Sequence, residues 1–267
     1  MAFDPTRVQA AAKFLFDAHE ARKVFSPIPQ HIAPRDFDEA YAVQEEFTNL
    51  SALAKGAVAG YKIAATTRVM QQMLGLSEPL SGCIMARTIF QSPAVLRAKD
   101  YVRLGIECEI AVRLSADLTS GGAPYSRDAI ERTVGAVMPA FELIDDRSAD
   151  YLNLAAQLLS GIADNGWNAG VVLGSPLTEW RNIDLAEVRG RLQINDAIAG
   201  EGQGKDVMGH PFEALTWFVN RLAMRGKSLK QGAIIMTGSI VATKFVNAGD
   251  TLRFVAGELG EVSLRVE

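Results

Sequence analysis

One segment constrains this chain more than any other. In Val102-Arg103-Leu104-Gly105-Ile106-Glu107-Cys108-Glu109-Ile110-Ala111-Val112-Arg113-Leu114 every even-numbered position is apolar. Alternation with a period of two predicts a β-strand with one buried face. Glu107 and Glu109 then project together from the opposite face, their Cα atoms ~6.6 Å apart. Taken alone, such an E-x-E reads better as a solvated outer face with Arg103 and Arg113 as counter-charges.

What shifts the balance is Val134-Gly135-Ala136-Val137-Met138-Pro139-Ala140-Phe141-Glu142-Leu143-Ile144, where one carboxylate sits in an apolar run. The run predicts burial, and a buried carboxylate needs a cation, strong hydrogen bonds or a raised pKa. Arg147 or a lysine would supply a purely structural ion pair. Taken together, Glu107, Glu109 and Glu142 are three acids with no histidine or thiolate among them. Such a hard oxygen set suits Mg²⁺ or Mn²⁺. A further stretch, Ala59-Gly60-Tyr61-Lys62-Ile63-Ala64, places one lysine among small apolar residues. Its stem could lie on the core with its head in water. Beside a divalent ion in a dry pocket, its pKa would fall toward neutrality, which makes Lys62 a candidate acid/base.

Around these segments the first sixty residues read as helical. Val8, Ala11, Ala12, Leu15 and Phe16 recur at helix spacing, and Asp36 caps a second helix through Tyr41, Val43, Gln44 and Phe47. Strand signals start near Gly60 and include residues 82–90, 102–114, 233–236, 251–255 and 261–266, the last two forming a hairpin that turns at Leu259-Gly260. One helix follows Pro211 and stops near Gly226. This order lacks regular βαβ alternation and predicts an α+β fold dominated by a mixed sheet. Residues 1–267 are read as a single catalytic domain, with 1–58 as a helical N-terminal cap region.

Composition excludes several functions. With 48% hydrophobic residues in 267 the chain supports a sizeable core. A net charge of -4, from 27 basic and 31 acidic residues, gives no basic excess for nucleic acid. No apolar run reaches the roughly 18–20 residues of a membrane span. Two cysteines make no disulfide framework, and the start Met1-Ala2-Phe3-Asp4-Pro5 lacks a leader pattern, which predicts a cytoplasmic protein. The three histidines, His19, His31 and His210, do not suggest a metal site, and His210 before Pro211 reads as a turn residue.

Gly60-Tyr61-Lys62-Ile63, Glu107-x-Glu109, Phe141-Glu142-Leu143-Ile144-Asp145-Asp146-Arg147, Ala163-Asp164-Asn165, Gly209-His210-Pro211 and Gly238-Ser239 occur in that order. Together they resemble the 2-keto-4-pentenoate hydratase and 4-oxalocrotonate decarboxylase branch of the fumarylacetoacetate hydrolase superfamily. The resemblance implies a mixed β-roll or sandwich with an N-terminal helical region, and Mg²⁺ or Mn²⁺ on Glu107, Glu109 and Glu142. Such an ion would bind a small 2-oxo or 2-hydroxydienoic acid, with Lys62 moving a proton. The resemblance gives Asp164 the role of orienting Lys62 or water and the Gly238-Ser239 turn, through Ser239, that of holding the substrate carboxylate. A turn-capping Asx and an ordinary strand-end turn are their structural alternatives. It also implies a homo-oligomer and association with a partner enzyme of the same pathway.

Two positions depart from the family pattern. Leu80 stands where an acid at the reactive end is usual, and Trp167 replaces a small residue, narrowing or reshaping the pocket. The resemblance therefore implies a metal-dependent lyase, hydratase-like first. A decarboxylase, a C–C hydrolase or a non-catalytic 2-oxo acid binding subunit are the rivals. The hydrolase branch draws on a histidine near a helical lid, and neither His19 nor His31 sits in a matching motif.

Overall fold

The computed structural model describes residues 4–267; the first three residues of the start read for a leader lie outside them. Two helices come first, α1 (Pro5–Glu20) and α2 (Phe37–Lys55). Asp4 and Asp36 cap them by accepting first-turn N–H groups, which would otherwise lack partners. Then follow β1 (Val58–Ala64), α3 (Arg68–Leu74), β2 (Leu80–Met85), β3 (Ile89–Gln91) and β4 (Ala94–Leu96). The long strands β5 (Leu104–Leu114) and β6 (Val134–Asp145) flank α4 (Arg127–Glu131). Next come α5 (Leu154–Ala163), β7 (Asn168–Leu173), β8 (Arg189–Ile194) and β9 (Ala197–Gln203). The chain closes with α6 (Pro211–Met224), β10 (Ile234–Phe245), β11 (Thr251–Ala256) and β12 (Glu261–Val266).

The strands form a seven-stranded sheet in the order β2-β1-β10-β5-β6-β7-β3 and a five-stranded sheet in the order β4-β12-β11-β8-β9. Both are mixed: β1–β10, β3–β7 and β4–β12 are parallel, the other pairs antiparallel. The fold is thus the expected α+β β-roll with a helical start. The hairpin of β11 and β12 turns through Gly257–Leu259 as expected. His210 is the N-cap of α6, its Nδ1 accepting the Phe212 N–H at 3.0 Å.

Residues 82–90 are a correction. They are two strands separated by a 3-10 turn at Ala86–Thr88, and β2 and β3 are the two opposite edges of the larger sheet. Edges joined by three residues must meet, so the sheet curls on itself. The seam is closed by a side chain: Asn165 Oδ1 accepts the Cys83 N–H at 2.6 Å and its Nδ2 donates to Cys83 O at 2.8 Å, as a neighbouring strand would. Three helices were also not anticipated, α3, α4 and α5. The ten-residue α5 is apolar throughout most of its length, and such runs do not distinguish strand from helix.

The roll has two faces. Outward, Ile106, Cys108, Ile110, Phe141 and Leu143 pack on the five-stranded sheet, with the Phe141 and Phe254 rings 6.2 Å apart. Inward, Ile84, Ala111, Met138, Val171 and Met236 fill one end of the interior. α1, α2 and α5 pack together through Leu15, Val43, Phe47 and Ala163. Gln44 of α2 ties them to the roll by donating to Ser81 O and Ile162 O. Among the described residues, no helix is long and apolar enough to cross a membrane.

Candidate metal centre and active site

Strand register brings the three acids together. Glu107 stands directly opposite Glu142 across the β5–β6 ladder, and Glu109 follows on the same inward face because side chains repeat every second residue. One oxygen from each lies within 4.8 Å of the others. Each carboxylate is braced on one side only. Glu107 accepts from Thr243 Oγ1–H at 2.6 Å, Glu109 from the Gly238 N–H at 2.8 Å, and Glu142 from Asn168 Nδ2–H at 2.9 Å. Glu109 Oε1 and Glu142 Oε2 are buried with no partner among the described residues.

Burial, together with the charges of Glu142 and Glu107, pushes the Glu109 carboxyl well above the usual range. Burial also raises Glu142, against the pull of Lys62. Two orphaned oxygens and mutual repulsion are what a divalent cation would relieve, so this donor set fits Mg²⁺ or Mn²⁺.

Lys62 lies in the same interior, 3% exposed, its Nζ 3.4 Å from Glu142 Oε1 and donating to Gly166 O at 2.9 Å. The lysine head therefore does not reach water, and it is Lys62, not Arg147, that pairs with Glu142. Burial lowers its pKa, but Glu142, Glu107 and Glu109 outweigh burial and hold it above the ordinary value. The expected fall toward neutrality is thus absent while these carboxylates keep their charge; a cation that neutralised them would remove the upward pull.

The carbonyl that holds Lys62 belongs to an unusual turn. Asn165, Gly166 and Trp167 have φ of 56°, 53° and 60°, all left-handed. Non-glycine residues in that region are strained, and the Asn165–Cys83 clasp holds the turn in place. A Cβ on Gly166 would stand 2.8 Å from Lys62 Nζ. Neither Asn165, Gly166, Thr243 nor Asn168 was singled out from sequence as a site residue. The sequence motif nearest to them is Ala163-Asp164-Asn165, whose last residue makes the Cys83 clasp.

Asp164 itself does not touch Lys62 as anticipated, nor does its side chain cap a helix. Fully enclosed, it accepts from Arg147 and meets His19 Nε2 at 2.5 Å, tying α1 to the end of α5. Gly238-Ser239 is not a turn but a bulge within β10, where a φ of 121° lets the Gly238 N–H reach Glu109. The Ser239 hydroxyl donates to Val241 O at 2.6 Å and Cys108 O at 3.3 Å. Trp167 packs edge-on against Phe25, ring centroids 5.5 Å apart, and against Tyr151 at 6.3 Å. Leu80 opens β2 opposite Ala64, half-buried.

A curled mixed sheet with three inward carboxylates and a buried lysine defines a scaffold fit to hold a divalent cation. Residues 84–267 match the family described as fumarylacetoacetate (FAA) hydrolase C-terminal, and the chain belongs to this family. It is 30% identical over 256 residues to 2-keto-4-pentenoate hydratase 1 of Dechloromonas aromatica, covering 96% of this chain and 95% of that one. It is 29% identical to 4-oxalocrotonate decarboxylase of Pseudomonas putida, covering 93% and 90%. In structure it is similar to 4-oxalocrotonate decarboxylase from Pseudomonas putida G7 complexed with magnesium and adipate. That match has a TM-score of 0.91 at 25% identity and covers 100% and 99% of the two chains.

Proposed function

We propose that the protein is a Mg²⁺- or Mn²⁺-dependent lyase acting on a small 2-oxo or 2-hydroxydienoic acid, hydratase-like in its chemistry. The observation that carries this reading is the meeting of three carboxylates within 4.8 Å with a buried ammonium 3.4 Å from one of them. Glu107, Glu109 and Glu142 hold the cation, which when bound supplies a Lewis acid for the carboxylate and 2-oxo oxygens of the substrate. Lys62, protonated at Nζ and oriented by Gly166 O at 2.9 Å, delivers that proton to the substrate carbon skeleton and, once neutral, takes one back. Asp164 acts at a distance, fixing the 165–167 turn from behind through its carbonyl, which accepts the Trp167 N–H at 3.0 Å. Trp167 shapes the pocket, and Ser239 supports the substrate end of β10. The 1–58 helical region serves as the cap that keeps bulk water from this interior.

A second reading, decarboxylation of a 4-oxalocrotonate-type acid, is favoured by one residue. Hydration requires an activated water, and the aliphatic Leu80 provides no group to hold one. Following the absorbance of 2-hydroxypenta-2,4-dienoate and of 2-hydroxymuconate, with Mg²⁺ and then with EDTA, tests both. Metal-dependent loss of the first with water added to the product supports hydration, and release of CO₂ from the second supports decarboxylation. Stable absorbance of both, with metal bound, rejects the lyase reading. The resemblance also argues for a cytoplasmic homo-oligomer, checked by sedimentation velocity and cell fractionation.

A further inference from the structure

Lys62 and Glu142 reach the interior from strands that are not neighbours. β10 and β5 stand between β1 and β6 in the larger sheet, so no ladder bond relates the ammonium to the carboxylate directly. One short segment touches both. Gly166 O accepts from Lys62 Nζ at 2.9 Å, and two residues further on Asn168 Nδ2 donates to Glu142 Oε1, also at 2.9 Å. That same Oε1 lies 3.4 Å from Lys62 Nζ. Residues 166–168 thus set the spacing between the lysine and the acid, while Glu142 Oε2 is left without a partner among the described residues.

This segment does not hold its own shape. Three successive left-handed residues, Asn165, Gly166 and Trp167, are unfavourable unless something outside the turn fixes them. Among the described residues β2 has β1 as its only ladder partner, and it is the backbone of Cys83 on β2 that the Asn165 side chain grips through both its amide atoms. Two glycines make room for the grip. A Cβ on Gly82 would stand 2.8 Å from Asn165 O, 2.9 Å from Asn165 Oδ1 and 3.2 Å from Lys62 Cε, and one on Gly166 would stand 2.9 Å from that same Cε. The end of the lysine therefore lies between two bare backbones that approach each other where Asn165 joins them. Released from Gly166 O, the ammonium has Glu142 as its nearest acceptor and is drawn into the carboxylate cluster.

We propose that Asn165 is a positioning residue for the acid/base lysine: its clasp on β2 presents Gly166 O to Lys62 Nζ and keeps the proton aimed at the substrate instead of buried against Glu142. Its side chain bonds only Cys83 among the described residues, so it acts through Lys62. This deepens, and rests on, the reading that Lys62 moves the proton. Displacing a reacting group by ~1 Å costs up to about 100-fold in rate, which sets the size of the effect.

Proton transfer is read as exchange of the C3 protons of 2-oxobutanoate for deuterium, followed by NMR with Mg²⁺-loaded protein; each event breaks one C3–H bond and forms one C3–D bond. Asn165→Gly keeps the left-handed backbone and removes the clasp. Asn165→Asp keeps an acceptor for the Cys83 N–H and loses the donor to Cys83 O, and it carries the test if the glycine variant does not fold. Either variant should slow exchange at saturating 2-oxobutanoate by about 10- to 100-fold with Mg²⁺ affinity retained, and should add no further loss in a Lys62→Met background. In metal-free protein carrying ¹⁵N-lysine, the Lys62 Nζ signal, identified by its absence from Lys62→Met, should shift or broaden in the Asn165 variant. Losses that multiply in the double variant, or an unmoved Lys62 signal, overturn the Asn165 assignment alone. Exchange in the wild type no faster than with Mg²⁺ alone overturns the proton-transfer reading of Lys62, and the proposal with it.

Discussion

Toward the five-stranded sheet, β5 and β6 present Ile106, Cys108, Ile110, Phe141 and Leu143, every one fully enclosed. Toward the interior of the roll, the same two strands present Glu107, Glu109 and Glu142, with two oxygens unpartnered and two carboxyls pushed above their usual range. One residue of register separates a face that gains free energy on burial from a face that loses it. The difference teaches that stability and chemistry need not occupy separate elements. The apolar face holds the strands rigidly enough for the polar face to stay incompletely satisfied, and incomplete satisfaction is what gives it affinity for a cation.

The comparison is broken most severely by Glu142→Gln, which should lower Mg²⁺ affinity and turnover together, turnover by about 10³-fold or more. Turnover assays and metal titration of the same preparation read this. Lys62→Met should spare Mg²⁺ binding and cut kcat by about 10²–10⁴-fold. On the other face, Phe141→Ala should cost ~3–5 kcal/mol of stability, measured by denaturant unfolding. Metal-binding stoichiometry in the material that remains folded should not change.

A pH titration sharpens the contrast further. Glu109 and Glu142 bind protons more tightly folded than unfolded, so their contribution to stability is present at low pH and lost as pH rises through their raised folded values. The metal-free protein should therefore melt at a lower temperature at about pH 8 than at about pH 5.5, and Glu109→Gln or saturating Mg²⁺ should flatten that slope. The smallest effect lies at a helix end: His210→Ala removes the α6 cap and should cost about 1 kcal/mol.

The sequence was legible where a short-range pattern carried the information. Alternation over 102–114 revealed the strand and put Glu107 and Glu109 on one face, and the single acid at Glu142 stood out because its neighbours are apolar. The partners of these acids were not legible, because Thr243, Gly238 and Asn168 come from strands whose order in the sheet no local pattern encodes. The twelve residues of β10 were expected only as 233–236, since its irregular register around Ser239 and Val241 and the positive φ at Gly238 break the alternation. The family resemblance gives Asp164 a role at the lysine, yet its carboxylate meets Arg147 and His19 instead. Its neighbour Asn165 turned out to hold the turn that the lysine rests on, a task that depends on meeting Cys83 more than eighty residues away.

The position of β10 has a consequence for how the protein is made. It follows β1 to β9 in the chain, yet it lies between β1 and β5 near the middle of the larger sheet. Until residues 234–245 leave the ribosome, β1 has no neighbour on the β5 side, Glu109 lacks the Gly238 N–H, and Glu107 lacks Thr243. A partly translated chain can pair β5 with β6 but cannot brace their acids from β10. Full bracing of Glu107 and Glu109 thereby waits until β10 has entered the sheet between β1 and β5.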